Sequence, residues 1–285
     1  MIITKILVTG ATGQLGYDVC RVLLQRGIKH VGVSSADFDI TSKESTQAFL
    51  ENYQPDAVIH CAAYTKVDLA EDEAERCMRV NAEGTRNVAE ACREIGAKMM
   101  YISTDYVFSG TGSTPWETDA PTEPLNVYGR SKLAGEQAVR ELLERYFIVR
   151  TSWVIGEHGS NFVKTMLRLA ENHNSLSVVD DQIGSPTFTA DLAPVLCNMI
   201  ATDKYGVYHA TNEGCCSWAE LAETVFRLAG KDVAVEHVST EAYGAKAIRP
   251  KNSRLSKRSL DEGGFARLPD WEASLTKMLE KGRFE

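Results

Sequence analysis

Several features that would assign a chain to a particular class of protein are missing from this 285-residue sequence. No apolar run approaches the roughly 20 residues of a membrane-spanning helix, so a membrane protein is not expected. Basic residues are fewer than acidic ones, 31 against 39, and the net charge of −8 argues against a nucleic-acid-binding surface. The first residues enter a strand pattern without the charged and then apolar layout of a signal peptide. We therefore expect a cytoplasmic protein.

Cysteine pairs at metal-binding spacing are also missing. The chain has seven cysteines, an odd number, and no two of them form a C-x-x-C motif. Adjacent Cys215 and Cys216 cannot readily bridge to each other or share one metal ion. The sequence thus favours reduced thiols over a disulfide framework or a zinc site.

The first half of the sequence alternates between short apolar runs and stretches with helical periodicity. Five runs are predicted as strands, namely KILVTG, HVGVSS, DAVIHCAA, KMMYIST and FIVRTSW. Strands that alternate with helices indicate βαβ units, a parallel sheet and a doubly wound α/β architecture. A continuous helical stretch is predicted over residues 73–96, and the Gly-, Pro-, Ser- and Thr-rich residues 105–126 predict a long functional or disordered loop.

After about residue 153 this alternation weakens. Helices are predicted at 161–172, 189–202 and 217–229, with the strands SLSVV, GVYHAT and VAVEHV between them. The third helix opens with a capping box formed by Ser217 and Glu220. We interpret residues 1–153 as a Rossmann-like domain and residues 154–285 as mainly a smaller, interleaved α/β lobe. This interpretation also allows segments after residue 153 to be part of the first domain.

A glycine-rich turn joins the first strand to the first helix. In VTGATGQLG, the glycines at 10, 13 and 16 permit a tight turn and a close approach of the backbone to a pyrophosphate. The positive end of the helix dipole favours the phosphate charge. An ordinary glycine-rich turn is the alternative, but the place after the first strand of a βαβ unit favours a dinucleotide site.

The end of the second strand should lie near the adenine ribose of such a cofactor. The segment SSADFDIT has no arginine for a 2′-phosphate, and Asp37 and Asp39 are acidic. Serines can bind a phosphate, although an acidic neighbour opposes this. The sequence therefore leaves the choice between NADH and NADPH open. Asp39 is also suited simply to start a turn and cap the next helix.

Tyr128 and Lys132 share one face of a predicted helix, because residues i and i+4 are neighbours there. A nearby ammonium is expected to lower the phenol pKa from its usual value of about 10, which suits a proton donor. Ser103 and Thr104 end the fourth strand, at the edge where open α/β sheets bind ligands. Two ordinary exposed helix residues are the alternative. The convergence of these features with the glycine turn favours a catalytic site.

Seven segments resemble those of the extended short-chain dehydrogenase/reductases and, more narrowly, of the dTDP-4-dehydrorhamnose reductases. They are GATGQLG, HCAAYTKVD, YISTDYVFSG, YGRSKLAGE, RTSWVIG, DQIGSPT and RPKNSRL. The resemblance runs from residue 5 to about 275. It implies a Rossmann-like fold and an enzyme of dTDP-rhamnose and polysaccharide biosynthesis. Such an enzyme reduces the C4 ketone of dTDP-4-dehydro-6-deoxy-L-mannose to dTDP-L-rhamnose with NADPH or NADH.

The same resemblance implies roles for individual residues. Thr104, Tyr128 and Lys132 would form the catalytic trio, with Tyr128 as the proton donor. The implied cofactor contacts are Gly10, Gly13, Gln14, Leu15, Gly16, Asp39, Ile40, Ala62, Ala63, Tyr64, Tyr128 and Lys132. The implied substrate contacts are Thr65, Val67, Thr104, Asp105, Tyr106, Trp153 and Arg249. A core aromatic and a surface arginine are the simpler readings of Trp153 and Arg249.

Departures from related families narrow the expected reaction. Tyr106 occupies the position of the Glu base of sugar-nucleotide 4,6-dehydratases, which argues against dehydration. The second acid/base pair of an epimerase is not identifiable, although Cys61 and His158 stay open. Some relatives dimerise through acidic residues around a metal. Near those positions this chain has Leu15, Ala190 and Asp191, so we allow a homodimer but expect no metal.

Two other functions stay open at this point. The regulatory subunit of methionine adenosyltransferase resembles the same family, so a non-catalytic NADP-binding subunit is one alternative. A reductase or epimerase that acts on another nucleotide sugar is the second. The complete trio favours the enzyme.

Overall fold

The computed structural model describes residues 5–282. The strands are β1 Lys5–Thr9, β2 Lys29–Val33, β3 Ala57–His60, β4 Lys98–Thr104, β5 Tyr146–Thr151, β6 Val154–Ile155, β7 Ser175–Val179, β8 Ile183–Gly184, β9 Thr187–Phe188, β10 Gly206–His209, β11 Cys216–Ser217, β12 Ala234–Val238 and β13 Asn252–Ser253.

The α-helices are α1 Gln14–Gln25, α2 Lys43–Tyr53, α3 Val67–Ala70, α4 Ala74–Met78, α5 Thr85–Ile95, α6 Val127–Leu142, α7 Phe162–Leu169, α8 Thr189–Ile200, α9 Trp218–Ala229, α10 Thr240–Tyr243, α11 Arg258–Glu262 and α12 Trp271–Glu280. A π-helical turn spans Arg79–Gly84 and a 3₁₀ turn spans Asp105–Val107. No helix of residues 5–282 is long and apolar enough to cross a membrane.

A six-stranded parallel sheet forms the centre of the fold, in the order β10-β5-β4-β3-β1-β2. Alternate residues of β1 pack into different cores, because successive side chains of a strand point to opposite faces. Ile6 and Val8 pack with α1 and α8, whereas Leu7 packs with α2, α5 and α6. The predicted doubly wound α/β architecture is confirmed.

The second part of the chain builds smaller sheets and also completes the central one. Its own strands form the sheets β11-β8-β13, β12-β7 and β6-β9. Strand β10 is hydrogen-bonded to β5 at one end of the central sheet, and α8 packs against α1. The capping box at the start of α9 is present, with both Ser217 and Glu220 hydrogen bonds formed. The division at about residue 153 stays a prediction, and β10 and α8, which follow this residue, pack with the first part of the chain.

The predicted continuous helix over residues 73–96 is interrupted. It forms α4, the π-helical turn Arg79–Gly84 and α5. The buried side chain of Asn81 in this turn accepts the N–H of Tyr64 and donates to the Tyr64 carbonyl and to Ser131. The wide turn thus places a polar side chain inside the fold, where it fixes the segment that follows β3.

The long loop at residues 105–126 is anchored to the rest of the fold. The sequence predicted a functional or disordered loop here and did not distinguish between the two. The backbone of Trp116 accepts a hydrogen bond from Ser256 N and donates one to Arg254 O. Its ring stacks on Phe108, with the centroids 5.0 Å apart. These contacts hold the loop against the strand region around β13.

Candidate active site

A cleft of about 770 Å³ lies at the carboxyl ends of the central strands. Open α/β sheets bind their ligands at this edge. We call its two parts the glycine end, formed by the β1–α1 turn and the ends of β2 and β3, and the aromatic end, which contains Tyr106, Tyr128, Trp153 and Trp218. A groove of similar volume between α7, α9 and α12 lies away from the strand ends.

Main-chain atoms dominate the glycine end. Gly10 has a φ of +68°, and a Cβ atom built on it would lie 2.7 Å from Ala62 N, so only glycine fits this position. Helix α1 begins at Gln14, with Gly13 as its N-cap residue. All five predicted residues of this turn line the cleft, which places the helix N-terminus at a position suited to a pyrophosphate.

Gln14 binds a second segment, residues 156–161, next to this turn. Its Oε1 atom accepts hydrogen bonds from Gly156 N at 2.8 Å and from Asn161 Nδ2 at 3.0 Å. Asn161 is also the N-cap residue of α7, where its Oδ1 accepts the N–H of Lys164. Residues 156–161 therefore border the glycine end. This contact could not be predicted from the sequence, because Gln14 and its partners are more than 140 residues apart.

Acidic side chains organise the end of β2. Asp37 Oδ2 accepts hydrogen bonds from Ser34 N at 2.7 Å and Ser34 Oγ at 3.0 Å, and these bonds lower the Asp37 pKa. Asp39 lines the cleft and also accepts from Thr41 N, so it makes the predicted turn as well. Lys132 is the one basic side chain among the described residues that line the cleft.

Thr104 and Asp105 form a buried pair where β4 ends. The Thr104 hydroxyl donates to Asp105 Oδ1 at 3.0 Å and accepts the N–H of Tyr106 at 3.2 Å, which starts the 3₁₀ turn. Ser103, the other predicted hydroxyl, donates instead to Glu136 at 2.6 Å. Of the two hydroxyl groups, Thr104 is therefore the one placed to serve a ligand.

Tyr128 lies in the first turn of α6, beside this pair. Gly129 allows the close approach, since a Cβ atom there would lie 2.3 Å from Tyr106 O. The rings of Tyr106 and Tyr128 meet edge to face, with centroids 5.5 Å apart. Burial raises the pKa of Tyr128 above its usual value, the Asp105 charge raises it further, and the Thr104 hydroxyl opposes the shift.

The expectation that Lys132 lowers the Tyr128 pKa is wrong for this structure. Lys132 Nζ donates to the carbonyl of Ile102 at 2.7 Å and lies 4.1 Å from the centre of the Tyr101 ring. Burial lowers the pKa of Lys132 to about 7, although the Glu136 carboxylate opposes this. Desolvation disfavours the charged form of each group. It therefore favours the neutral phenol of Tyr128, and it also favours the neutral amine of Lys132, whose positive charge was expected to lower the Tyr128 pKa.

A buried ion pair supports α6 behind Lys132. Glu136 follows Lys132 by one helical turn and binds Arg150 of β5 through two hydrogen bonds, of 2.8 and 2.7 Å. Both side chains are 1% exposed. Arg150 also donates to the carbonyl of Thr118 in the long loop. This bidentate pair thereby joins α6, the sheet and the loop.

Two stacked indoles form one wall of the aromatic end. Trp153 has a φ of +48°, which is unusual for a residue other than glycine, and its ring stacks on Trp218 with centroids 3.7 Å apart. Both line the cleft, so Trp153 is not simply a core aromatic. Sequence reasoning missed Trp218, because its place after a capping-box serine indicates only a helix start.

Nearly all predicted contact residues line the cleft, including Ile40, Ala62, Ala63, Thr65 and Val67. Two do not. The hydroxyl of Tyr64 donates to Glu73, away from the cleft. Arg249 lies outside the lining and donates to both carboxylate oxygens of Asp68, at 2.6 and 3.0 Å, so its guanidinium already has an anionic partner.

One protein-family model matches nearly the whole chain. The family model described as RmlD substrate binding domain matches residues 4–284. The chain belongs to this family. Its relatives in the RmlD family include the spore coat polysaccharide biosynthesis protein SpsK of Bacillus subtilis, 42% identical over 98% of each chain. This membership confirms the resemblance that the seven sequence segments indicated.

Two further relatives and one solved structure agree with the RmlD assignment. The dTDP-4-dehydrorhamnose reductase of Streptomyces griseus is 43% identical over 95% of this chain and 91% of its own. The dTDP-4-keto-6-deoxy-D-glucose reductase of Streptomyces niveus is 39% identical over 95% of each. The crystal structure of dTDP-4-dehydrorhamnose reductase from Bacillus anthracis in complex with NADP is 45% identical, with a TM-score of 0.95, and covers 99% of this chain and 100% of that one.

Proposed function

We propose that this chain is a dTDP-4-dehydrorhamnose reductase. It reduces the C4 ketone of dTDP-4-dehydro-6-deoxy-L-mannose to the alcohol of dTDP-L-rhamnose, with NADPH or NADH as the reductant. The observation that carries this proposal is the convergence of Thr104, Tyr128 and Lys132 in the cleft that the glycine turn borders. Near-full-length similarity to reductases that bear this name supports it.

The residues of the glycine end fit a nicotinamide dinucleotide. The cradle at Gly10 leaves no room for a Cβ atom, and the N-terminus of α1 faces the cleft. When bound, the dinucleotide supplies the hydride for the ketone carbon. Gly13, Gln14 and Gly16 would hold its pyrophosphate, Asp39 and Ile40 its adenosine, and Lys132 its nicotinamide ribose.

Tyr128 would donate its phenolic proton to the ketone oxygen as negative charge develops there. Its raised pKa keeps the phenol protonated at neutral pH, which suits a donor. Thr104 would donate a hydrogen bond to the same oxygen. Asp105, Tyr106 and Trp153 would contact the sugar, with Thr65 and Val67 at its border. Arg249 would reach the substrate diphosphate only after its ion pair with Asp68 opens.

The test is oxidation of NADH or NADPH in the presence of the 4-keto sugar nucleotide. Replacement of Tyr128 by Phe should lower kcat by about 10²–10⁴-fold, the range for one positioned acid. The matched control is Tyr146→Phe, because Tyr146 opens β5 at the opposite edge of the sheet. No turnover by the parent would reject the reductase, and undiminished turnover by Tyr128→Phe would reject Tyr128 as the acid.

A second candidate is a reductase for a different nucleotide sugar. It is supported by the Streptomyces niveus relative, whose name gives dTDP-4-keto-6-deoxy-D-glucose as the substrate. Comparing kcat/KM for the two keto sugars separates these candidates. Epimerisation has less support, because His158 bonds the Thr12 carbonyl and is exposed, and burial raises the pKa of the Cys61 thiol. Turnover would also exclude a purely regulatory subunit.

We further propose that the chain acts in the cytoplasm and binds neither nucleic acid nor membranes. The net charge of −8 and the seven unpaired cysteines support this. A homodimer also stays a proposal, which the molecular mass in solution would test. No metal is proposed, and residues 5–282 contain no group of three or more His, Cys, Asp or Glu side chains placed to hold an ion.

A further inference from the structure

The Thr104 hydroxyl has few hydrogen-bonding positions, and the structure uses most of them. A hydroxyl offers one proton and two lone pairs. The proton is donated to Asp105 Oδ1, 3.0 Å away, and one lone pair accepts the N–H of Tyr106 at 3.2 Å. One lone pair is left for a ligand or for the adjacent Tyr128 phenol, whose pKa the Thr104 hydroxyl lowers. In this arrangement, Thr104 is able to accept a hydrogen bond from a ligand but not to donate one.

Reduction of a ketone needs the opposite polarity. The ketone oxygen is an acceptor that gains negative charge, so Thr104 has to donate to it. Turning the proton away from an ionised Asp105 breaks a charge-assisted hydrogen bond, which is stronger than a neutral one. A protonated Asp105 removes this conflict. Its own O–H is then able to donate to Thr104 Oγ1, and the Thr104 proton is free to point at the ketone.

The surroundings of Asp105 favour the protonated form. The residue is 2% exposed, and its Oδ2 atom is buried without a hydrogen-bond partner in the described part of the chain. Burial raises the pKa of this carboxyl to about 6, while the Ser253 and Thr104 hydroxyls oppose the shift. Oδ2 has no partner that would stabilise a negative charge on it, and a proton on Oδ1 would face Thr104 Oγ1, 3.0 Å away.

The titratable groups that face this carboxyl come from three elements. Tyr106 lies in the same 3₁₀ turn, and Tyr128 and Lys132 belong to α6. Burial raises the pKa of both phenols, so they stay neutral near pH 6. Arg249, in the segment before β13, is paired with Asp68. The two other cations near Ser253 are also engaged, Lys251 with Asp181 and Glu241, and Arg254 with Asn252.

We propose that Asp105 is a proton-dependent positioning residue for Thr104. In its protonated form it lets the Thr104 hydroxyl donate to the ketone, and in its ionised form it holds that hydroxyl as an acceptor. This inference rests on the proposed reductase function and adds to the sugar contact implied for Asp105. A sugar that covers the turn excludes water and favours the neutral acid further, so substrate binding takes up a proton near neutral pH.

The pH dependence of kcat/KM for the ketone tests this proposal. In the parent enzyme, kcat/KM should fall by about 10- to 100-fold from pH 5.5 to pH 8, as the acid that permits the Thr104 hydrogen bond is lost. Asp105→Asn and Asp105→Ala should both lack the part of this fall that is centred near pH 6. An amide is able to donate to Thr104 at every pH, and alanine offers no acceptor that would hold the Thr104 proton.

Lys132 also titrates in this pH range, and its effect on kcat/KM has to be separated from that of Asp105. Its pKa of about 7 predicts a change at higher pH that both Asp105 variants should retain. Melting temperature and NADH affinity establish that each variant is folded. A folded variant pair with the parental pH profile would overturn the proposal, and so would a pair that is inactive throughout the pH range.

A direct titration keeps this proposal distinct from the proposed function. The parent is labelled with ¹³C at aspartate carboxyls, and the Asp105 signal is assigned by its loss in Asp105→Asn. We expect that signal to titrate near pH 6. A midpoint below about 4.5, close to an ordinary aspartate, would overturn the proposal whether or not the enzyme reduces the sugar. Absence of turnover with a midpoint near 6 would reject only the proposed function.

Discussion

At the glycine end of the cleft the chain presents main-chain atoms, whereas at the aromatic end it presents rings and hydroxyls. The glycine end depends on backbone approach, such as that of Gly10 to Ala62. The aromatic end depends on side chains brought together from β4, α6, the end of β5 and α9. Backbone recognition suits a cofactor shared by many enzymes, and side-chain recognition suits a particular substrate. The two ends should therefore respond differently to substitution.

The largest effect is expected at the support beneath the aromatic end. Glu136→Gln would leave Arg150 buried with a weakened partner, which should lower the free energy of unfolding by about 3–5 kcal/mol. Denaturant unfolding measures this change. The control is Glu262→Gln, which removes an exposed pair with Arg258 and should cost less than about 1 kcal/mol. Equal losses in the two variants would contradict a special role for the buried pair.

Gly10→Ala should damage the glycine end specifically. A positive φ costs an L-residue about 1–2 kcal/mol, and the new methyl group meets Ala62. We expect NADH to bind about 5- to 30-fold more weakly, measured by fluorescence titration. Gly230→Ala is the matched control, because Gly230 has a φ of +64° but nothing within 4 Å of the added atom. Its NADH affinity should match that of the parent.

Trp218→Ala should affect only the aromatic end. Loss of the stacking partner of Trp153 is expected to raise KM for the sugar nucleotide by about 3- to 10-fold, the value of one aromatic pair. The affinity for NADH should not change. Trp218→Phe keeps an aromatic ring at this position and should recover most of the loss. A parallel fall in NADH affinity would show that the two ends are not independent.

The smallest effect is expected from Asp37, at the adenosine side of the glycine end. Asp37→Ser removes a negative charge near the expected 2′-phosphate position, so KM for NADPH should fall by about 2- to 5-fold, while KM for NADH stays constant. Steady-state kinetics with both cofactors checks this. Glu51→Gln, an exposed charge change on α2, should alter neither value.

Local signals in the sequence predicted that the glycine turn, Thr104, Tyr128 and Lys132 meet in one cleft. The turn at Gly10 and the spacing of Tyr128 and Lys132 each lie within one short segment, where backbone geometry fixes the outcome. Trp218 and the contact between Gln14 and Asn161 were not predictable in this way. They arise from tertiary packing between distant segments, which periodicity and spacing do not encode.

Charge effects in the site were also beyond the sequence. The spacing of Tyr128 and Lys132 suggested that the ammonium lowers the pKa of the phenol, but the structure directs Lys132 to the Ile102 carbonyl. Desolvation depends on how the whole cleft is covered, and no local pattern reports it. The raised pKa of Asp105 has the same origin. The sequence therefore predicted which residues lie in the cleft but not the protonation states of Tyr128, Lys132 and Asp105.

The return of β10 to the central sheet has a consequence for how the chain reaches its fold. β10 pairs in parallel with β5, although about 60 residues separate the two strands in the sequence. Until β10 arrives, β5 presents an open edge of unpaired backbone groups that invites association between chains. Such non-local parallel pairing is slow to form. We therefore expect a nascent chain that ends near residue 153 to be aggregation-prone, and productive folding to wait for synthesis of the later half.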